Sequence, residues 1–515
     1  MRTAVTAFSA PGVGPTAAIT GLIDLGFEIG PSQAVTRTLL DTFDGRLHRA
    51  GVRLELCEGD GLELILSGED TVRAHLSVAS VPRFPDELPP GPFRSRIASL
   101  VDVRALLPGV TIMATHTSAA WRDRAEKTVV TATILEHLRV GGHEHIEIPS
   151  WTIEIEELTG YAKRVGKVVA MLERLGLERL NDDTLTVAAE AAGIELAGFS
   201  GSPTVPLDPT MPAIDGFRFV LANLAESIVA NWQGTIDRLD PEFLHDLRVA
   251  VRRTRSVIGQ GKGVVPPEVV EHARQRFGWL GTLTGSARDL DVYLIEWDSY
   301  TTPLGAEVIT ALEPVRTLLE RRRKAAYTTL ALSLQSAEAA ELVASWRSWL
   351  GDSTNDDQRG TDADRPLGKV VAKRIVRAQS NLVERGRLIH PDTPPEQVHD
   401  VRKDAKKVRY LLECFASLLP AAEQRAFVRR LKAFQDTLGE HQDAEVHVAE
   451  LRALSRELHD GGAPADTMLA IGQLIEQLDQ RRAAARAAFA EGFSAYDSRS
   501  TRRALDVMLH AIGRS

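Results

Sequence analysis

Two stretches hold the side chains best suited to chemistry, HDLRVAVRRTR at 245–255 and HDVRKDAKKVR at 399–409. On a helix that turns about 100° per residue, His245, Arg248, Arg252 and Arg255 fall within an arc of roughly 80°. His399, Arg402, Lys406 and Arg409 repeat the same four steps, and Lys403 and Lys407 widen the second stripe. Arg253 lies off the arc. Guanidinium groups form bidentate, charge-assisted hydrogen bonds to phosphate oxygens, and a lysine adds a compact point charge. Steps of three and four residues advance a helix by about 4.5–6 Å, a pitch that a linear phosphate chain can follow. The histidines can donate hydrogen bonds and gain charge beside an anion; capping a helix is their alternative role. The cations around them disfavour a metal. The competing reading of both stripes is a solvated face, neutralised by acids elsewhere in the fold. Against it, the first stripe lacks the carboxylates four residues away that usually accompany exposed helical cations, and like charges at that spacing repel by roughly a few tenths of a kcal/mol per pair.

A second pair of blocks, LGTLTGSARDLDV at 280–292 and FQDTLGEHQDAEV at 434–446, each places an aspartate after a glycine-containing turn. Arg288 and His441 extend the basic surface, as do Lys373 and Arg377 further along the chain. Asp289 and Asp443 are acids in a basic neighbourhood, read as orienting arginines or capping helices, with a metal role as the lesser alternative. Further cations stand in ERRRKAA (320–326) and QRRAAARAA (480–488).

The elements that must position these residues repeat. PEFLHDLRVAVRRTRSVI at 241–258 aligns with PEQVHDVRKDAKKVRYLL at 395–412, an offset of 154, and at that offset Gly285 meets Gly439, Asp289 meets Asp443 and Val292 meets Val446. One constant offset over both blocks predicts two copies of a helical unit about a pseudo-two-fold axis. Leu247, Val251 and Ile258, or Val401, Ala405, Val408 and Leu412, form the core side of the two basic helices. These helices are expected to start at Asp240-Pro241 and Pro394-Pro395, where proline suits the first turn.

Residues 214–515 read as helical throughout, with repeat one at about 214–350 and repeat two at about 367–515. The polar, acidic run at 351–366 between them reads as an exposed loop, and the Gly-, Pro- and Ser-rich segment 198–213 as a linker. Residues 1–197 are different. VRLELCEG, LELILSG, TVVTATILEHLRV, EHIEIPS and WTIEIEEL read as strands, and YAKRVGKVVAMLERLGL as a helix. The opening MRTAVTAFSAPGVGPTAAITGL reads as a strand and a loop rather than a leader, because Pro11, Gly12, Gly14 and Pro15 interrupt the apolar run.

The net charge of −9 does not announce a polyanion binder, but its distribution matters. Residues 1–200 hold 19 Lys and Arg against 27 Asp and Glu, whereas 201–515 hold 42 against 43. The cysteines, Cys57 and Cys414, provide neither a disulfide framework nor zinc spacing and suit a reducing cytosol. No apolar run is long enough to span a bilayer.

HDLRVAVRRTR, ARDLD, HDVRKDAKKVRY and LGEHQDA resemble the paired signature blocks of the CHAD family, the conserved-histidine α-helical domains, over roughly 214–515. The resemblance implies an all-α domain of two pseudo-symmetric four-helix bundles with a basic groove that binds inorganic polyphosphate. Carried over, the binding set is His245, Arg248, Arg252, Arg255, His399, Arg402, Lys406 and Arg409, joined by Arg288, Lys373, Arg377, Lys403 and His441 on the basic surface. Residues 1–197 resemble, in LLDTFDGRLHRAGVRLEL, the CYTH family, an α+β antiparallel barrel around a triphosphate tunnel. That family's Glu-x-Glu-x-Lys on the first strand is missing, with Thr3, Val5 and Ala7 in its place. Where further basic tunnel residues belong, LELCEG and LELIL offer Glu, Cys and Ile; Arg53, Arg122, Arg124 and Lys127 are the remaining cations. The expectation is therefore a multidomain cytoplasmic protein, associated with polyphosphate granules, that is not an enzyme and has no cofactor, catalytic residue, metal site or membrane partner. A metal-dependent triphosphatase and a nucleic-acid binder are the alternatives. Single-strand binders interleave aromatic rings for base stacking, and the 245–255 stripe has none.

Overall fold

The computed structural model describes residues 5–10, 12, 14–68, 71–142, 146–157, 161–199, 205–351, 360–390 and 392–513. The chain divides into two units, Met1–Ser200 and Gly201–Ser515.

In the first unit nine strands form one sheet: β1 (Val5–Ser9), β2 (Phe27–Asp41), β3 (Val52–Glu58), β4 (Leu62–Gly68), β5 (Thr71–Val78), β6 (Leu107–Arg122), β7 (Thr128–Val140), β8 (Trp151–Glu157) and β9 (Glu178–Arg179). Their order is β5-β4-β3-β2-β6-β7-β8-β1-β9, and the paired neighbours run antiparallel. The sheet curls into a barrel: Arg73 on β5 reaches Glu156 on β8 at 3.1 Å, although five strands separate them in the order. Alternation along β8 sends Glu154 and Glu156 inward and Ile153 and Ile155 outward, where the isoleucines share a core with Val168 and Leu172 of a helix. That helix, α4 (Ala162–Arg174), follows α1 (Pro15–Asp24), α2 (Arg46–Arg49) and α3 (Pro92–Val101), and α5 (Thr184–Ala191) closes the unit.

Two expectations for this unit are corrected. The strand at β1 is present, but the residues after it form α1 rather than a loop. Pro15 occupies the first turn, and Ala18 and Leu22 bury the helix against the sheet. EHIEIPS is not a strand: residues 146–150 are irregular, and Glu144 and His145 lie outside the described residues. Ile146 and Ile148 pack against a core without joining a ladder, so apolar alternation there reports burial alone. Thr3 likewise lies outside the described residues.

The second unit is helical: α6 (Ala213–Ala230), α7 (Trp232–Ile236), α8 (Pro241–Gln260), α9 (Pro267–Leu283), α10 (Gly285–Ile295), α11 (Trp297–Thr301), α12 (Ala306–Ala311), α13 (Glu313–Leu334), α14 (Ala337–Gly351), α15 (Leu367–Arg387), α16 (Pro395–Cys414), α17 (Ala421–Asp460), α18 (Ala465–Tyr496) and α19 (Arg499–Gly513). The starts of α6, α8 and α9 fall 154 residues before those of α15, α16 and α17. Four long helical segments per repeat are joined by a fifth helix, α14 in one and α19 in the other, which the four-helix expectation omitted. A helix break at Thr284 separates α9 from α10, whereas α17 runs unbroken.

Repeat mates meet on the pseudo-two-fold axis. Pro212 bridges its mate Pro366; the Ala213 N–H donates to Arg365 O at 2.9 Å, and the Leu367 N–H donates to Met211 O at 2.8 Å. Elsewhere the Tyr293 ring stacks on its mate His447, with centroids 4.2 Å apart and planes within 7°. One continuous apolar core runs through both repeats, including Phe217, Leu247, Val251, Leu367, Val401 and Phe415.

The linker and the inter-repeat loop are more ordered than their compositions suggest. Residues 200–204 and 352–359 lie outside the described residues. In the segment 205–212, Leu207 is buried and its N–H donates to Ser417 Oγ, which itself donates to Val205 O. In the segment 360–366, Ala363 is buried and the Asp362 N–H donates to Gly263 O. Both segments are held by backbone hydrogen bonds at the axis, which hydropathy does not register.

Candidate anion-binding site

The two basic helices start where proline allows. Asp240 caps α8, accepting from the backbone N–H groups of Glu242 (2.9 Å) and Phe243 (3.2 Å), and Pro394 precedes α16. Buried Leu247, Val251 and Ile258 on α8, and Val401, Ala405, Val408 and Leu412 on α16, fix the rotation of each helix. The basic arcs therefore face away from the core. Because the helices are symmetry mates, Arg252 and Lys406 converge from opposite repeats.

Two cavities share Arg252, Lys406 and Tyr410 and so adjoin. The first, about 590 Å³, is bordered among the described residues by seven cations (Arg252, Arg255, Lys262, Arg274, Lys403, Lys406 and Lys407) and by no carboxylate. The second, about 730 Å³, is bordered by Arg252, Arg402, Lys406, Arg409 and Arg481 together with Glu296, Asp436, Glu440 and Asp443. Burial, then the charges of Arg402, Arg252 and Arg409, push the Lys406 ammonium down to about 8. Such crowding of like charge is costly without a counter-anion.

The family model described as CHAD domain matches residues 220–452, a span that takes in both basic helices and both glycine-containing blocks. This stretch is a CHAD domain. Among solved structures, a CHAD domain from the plant Ricinus communis is 26% identical, with 58% of this chain and 96% of that chain covered and a TM-score of 0.49. PptA from Streptomyces chartreusis is 19% identical over 55% of this chain and 99% of its own, with a TM-score of 0.42. The HpAC1 protein from Hippeastrum, described as having a dominant triphosphatase activity, is 15% identical over 38% of this chain and 97% of its own, with a TM-score of 0.27. No curated protein matches the chain.

Of the thirteen residues expected at the CHAD site, Arg252, Arg255, Arg402, Lys403, Lys406 and Arg409 border the two cavities. The other seven do not. Arg248 is half-buried and donates to Gly281 O and Thr284 Oγ1, both at 3.1 Å, bracing α8 on α9. Arg288 turns to Pro241 O (3.4 Å) and Glu242 (3.8 Å). His399 Nδ1 lies 2.9 Å from Gln442 Oε1, and His245 is half-buried. His441 sits beside Glu445, Arg486 and Arg482, with burial lowering its pKa, and Lys373 and Arg377 are exposed on α15.

Lys262 and Arg274 were not singled out from sequence, because an isolated cation in a loop or on α9 carries no periodic signal. Arg481 was visible only within a longer basic run. Asp443 pairs with Arg402 at 3.4 Å, and a Cβ at Gly285 or Gly439 would come to 3.6 Å from Arg248 or 3.8 Å from Arg402. A Cβ at either position would make ordinary van der Waals contact, so neither guanidinium requires glycine beside it.

In the first unit a separate cavity of about 620 Å³ lies inside the barrel, bordered by Arg37, Arg73, His75, His116, Glu63, Glu154 and Glu156 among others. Glu154 accepts from Arg37 at 3.0 Å, Glu156 from Arg73 at 3.1 Å, and Arg37 also binds Glu55. Arg37 and Arg73 are therefore the interior cations. Arg53 pairs with Glu55 and Asp183, while Arg122, Arg124 and Lys127 are exposed around the β6–β7 turn. Glu63 on β4 and Glu154 and Glu156 on β8 are carboxylates bordering this cavity, the latter two each paired with an arginine. The expectation that the chain is not an enzyme is corrected: the solved structures similar to it include one described with a dominant triphosphatase activity. No described helix is long and apolar enough to cross a membrane.

Proposed function

We propose that the CHAD domain binds inorganic polyphosphate in the groove between α8 and α16, and that this binding holds the protein at polyphosphate granules. The observation that carries the reading is the cavity bordered, among the described residues, by seven cations from both repeats and by no carboxylate, although Asp400 and Asp404 pair with Lys403 and Lys407 beside it. A repeating polyanion matches it: guanidiniums clamp phosphate oxygens in pairs, and lysines add point charge along the chain. Tyr410 is the only aromatic residue bordering this cavity among the described residues, which favours a ligand without bases to stack.

The test is titration of the full chain with long-chain polyphosphate, tripolyphosphate and single-stranded DNA. Polyphosphate is expected to bind, with DNA in excess competing poorly. Changing Arg252 and Lys406 together to Ala is expected to weaken polyphosphate binding at least tenfold. Unchanged affinity in that double variant removes the site assignment, and equal competition by DNA favours a nucleic-acid ligand.

A further inference from the structure

The two adjoining cavities differ in kind. Among the described residues, the charged groups bordering one are all cations; the other mixes its cations with Glu296, Asp436, Glu440 and Asp443. Among the described residues Asp436 and Glu440 have no ion pair or hydrogen bond to neutralise them, and both are exposed. Gln435 borders the same cavity. It is 6% exposed, and neither its amide nitrogen nor its amide oxygen has a partner. A buried amide with both ends unpartnered costs about 1–3 kcal/mol for each missing bond unless a ligand supplies it.

The chemistry of a phosphate chain distinguishes its end from its middle. Internal phosphates keep no proton near neutral pH. A terminal phosphate has a second ionisation at about 6, like a phosphomonoester, so near neutral pH it can still donate an O–H. A carboxylate and the Gln435 amide oxygen can accept from that group, whereas an internal phosphate offers them no hydrogen and can only accept from the amide NH2. The arrangement occurs in one repeat alone: the mates of Gln435, Asp436 and Glu440 are Gly281, Thr282 and Ser286.

Resting on the polyphosphate reading above, we propose that the mixed cavity recognises the terminal phosphate of the chain, with Gln435 and the Asp436–Glu440 wall as its acceptors. The groove is directional. The chain end seats against α17, and the internal phosphates run out through the cationic cavity past Arg255, Lys403 and Lys407.

The test compares linear polyphosphate of one length with the same chain capped at both ends as alkyl esters, each titrated into the full-length protein near pH 7. The uncapped chain is expected to bind at least threefold more tightly. Gln435→Leu should weaken the uncapped chain more than the capped one and so bring the two ligands together. Because Gln435 is buried, the exposed pair Asp436→Asn and Glu440→Gln serves as a second variant. It removes the charged acceptors of the terminal O–H, so the preference for the uncapped chain is expected to disappear. Equal binding of capped and uncapped chains to the unaltered protein overturns the proposal while leaving the polyphosphate reading intact; binding of neither removes both. Orthophosphate separates a chain end from a free ion: it is expected to bind far more weakly than the uncapped chain, and equal affinity overturns the proposal.

Discussion

Lys406 concentrates the physical chemistry of the groove. Its ammonium is partly withdrawn from water and faces Arg402, Arg252 and Arg409, so its pKa is lowered to about 8. A bound polyanion favours the charged form and draws the pKa back up. Affinity for polyphosphate is therefore expected to fall as pH rises from about 7.5 to 9.5, and Lys406→Arg, which stays charged, should flatten that profile. Affinities measured across the range decide the point; a Lys406→Arg variant with the same decline places the titrating group elsewhere. The stability effect has the opposite direction. An unfolded lysine titrates at about 10.4, so between about 8 and 10.4 the unfolded chain holds more protons and stability rises with pH. At pH 7 the charged, crowded Lys406 weakens the fold. Lys406→Met is accordingly expected to raise Tm in the absence of ligand while lowering affinity several-fold.

Helices α6 and α15 cross at the pseudo-two-fold axis with little room between them. A Cβ at Gly216 would overlap the side chain of Leu367, which is fully buried. Gly216→Ala is expected to destabilise the protein by about 1–3 kcal/mol through overpacking, seen as a lowered denaturant midpoint, and adding Leu367→Ala should cost less than the two changes separately. Additive costs would mean that the clash is relieved by backbone movement. Sequence reading reached these helices because period and offset are direct records of burial and duplication. Pro241 and Pro395 marked the starts of α8 and α16, and Leu247 and Val401 marked their buried faces. What sequence could not convey was three-dimensional selection. Arg248 satisfies the helix arc as well as Arg252 does, yet it spends its hydrogen bonds on Gly281 and Thr284. Lys262, in a turn, reaches the groove that Lys373, within a basic run, does not. Nor does composition reveal that 205–212 and 360–366 are pinned at the axis, because their anchors are backbone hydrogen bonds.

At the scale of the whole molecule, net charge misleads. A protein at −9 carries a cavity bordered, among the described residues, by seven cations, two of them (Lys403 and Lys407) paired with Asp400 and Asp404, while residues 1–200 hold 19 basic against 27 acidic residues. Only charges that contact the ligand release its condensed counterions, so the salt dependence of binding counts local contacts rather than net charge. By analogy with single-stranded and duplex nucleic acids, each contacted phosphate contributes a slope of roughly −0.7 to −0.9 in log affinity against log salt. Long-chain polyphosphate bound along the cationic cavity is thus expected to lose affinity steeply as salt rises, despite the protein's overall negative charge. Removing Arg252 and Lys406 together should make the slope shallower by roughly 1.4–1.8. Replacing exposed Lys373 and Arg377 on α15, outside both cavities, should leave the slope unchanged while shifting net charge by the same amount. Titrations at several salt concentrations on the three proteins separate the two explanations. If the α15 variant loses as much slope as the groove variant, binding follows general electrostatics rather than the paired helices.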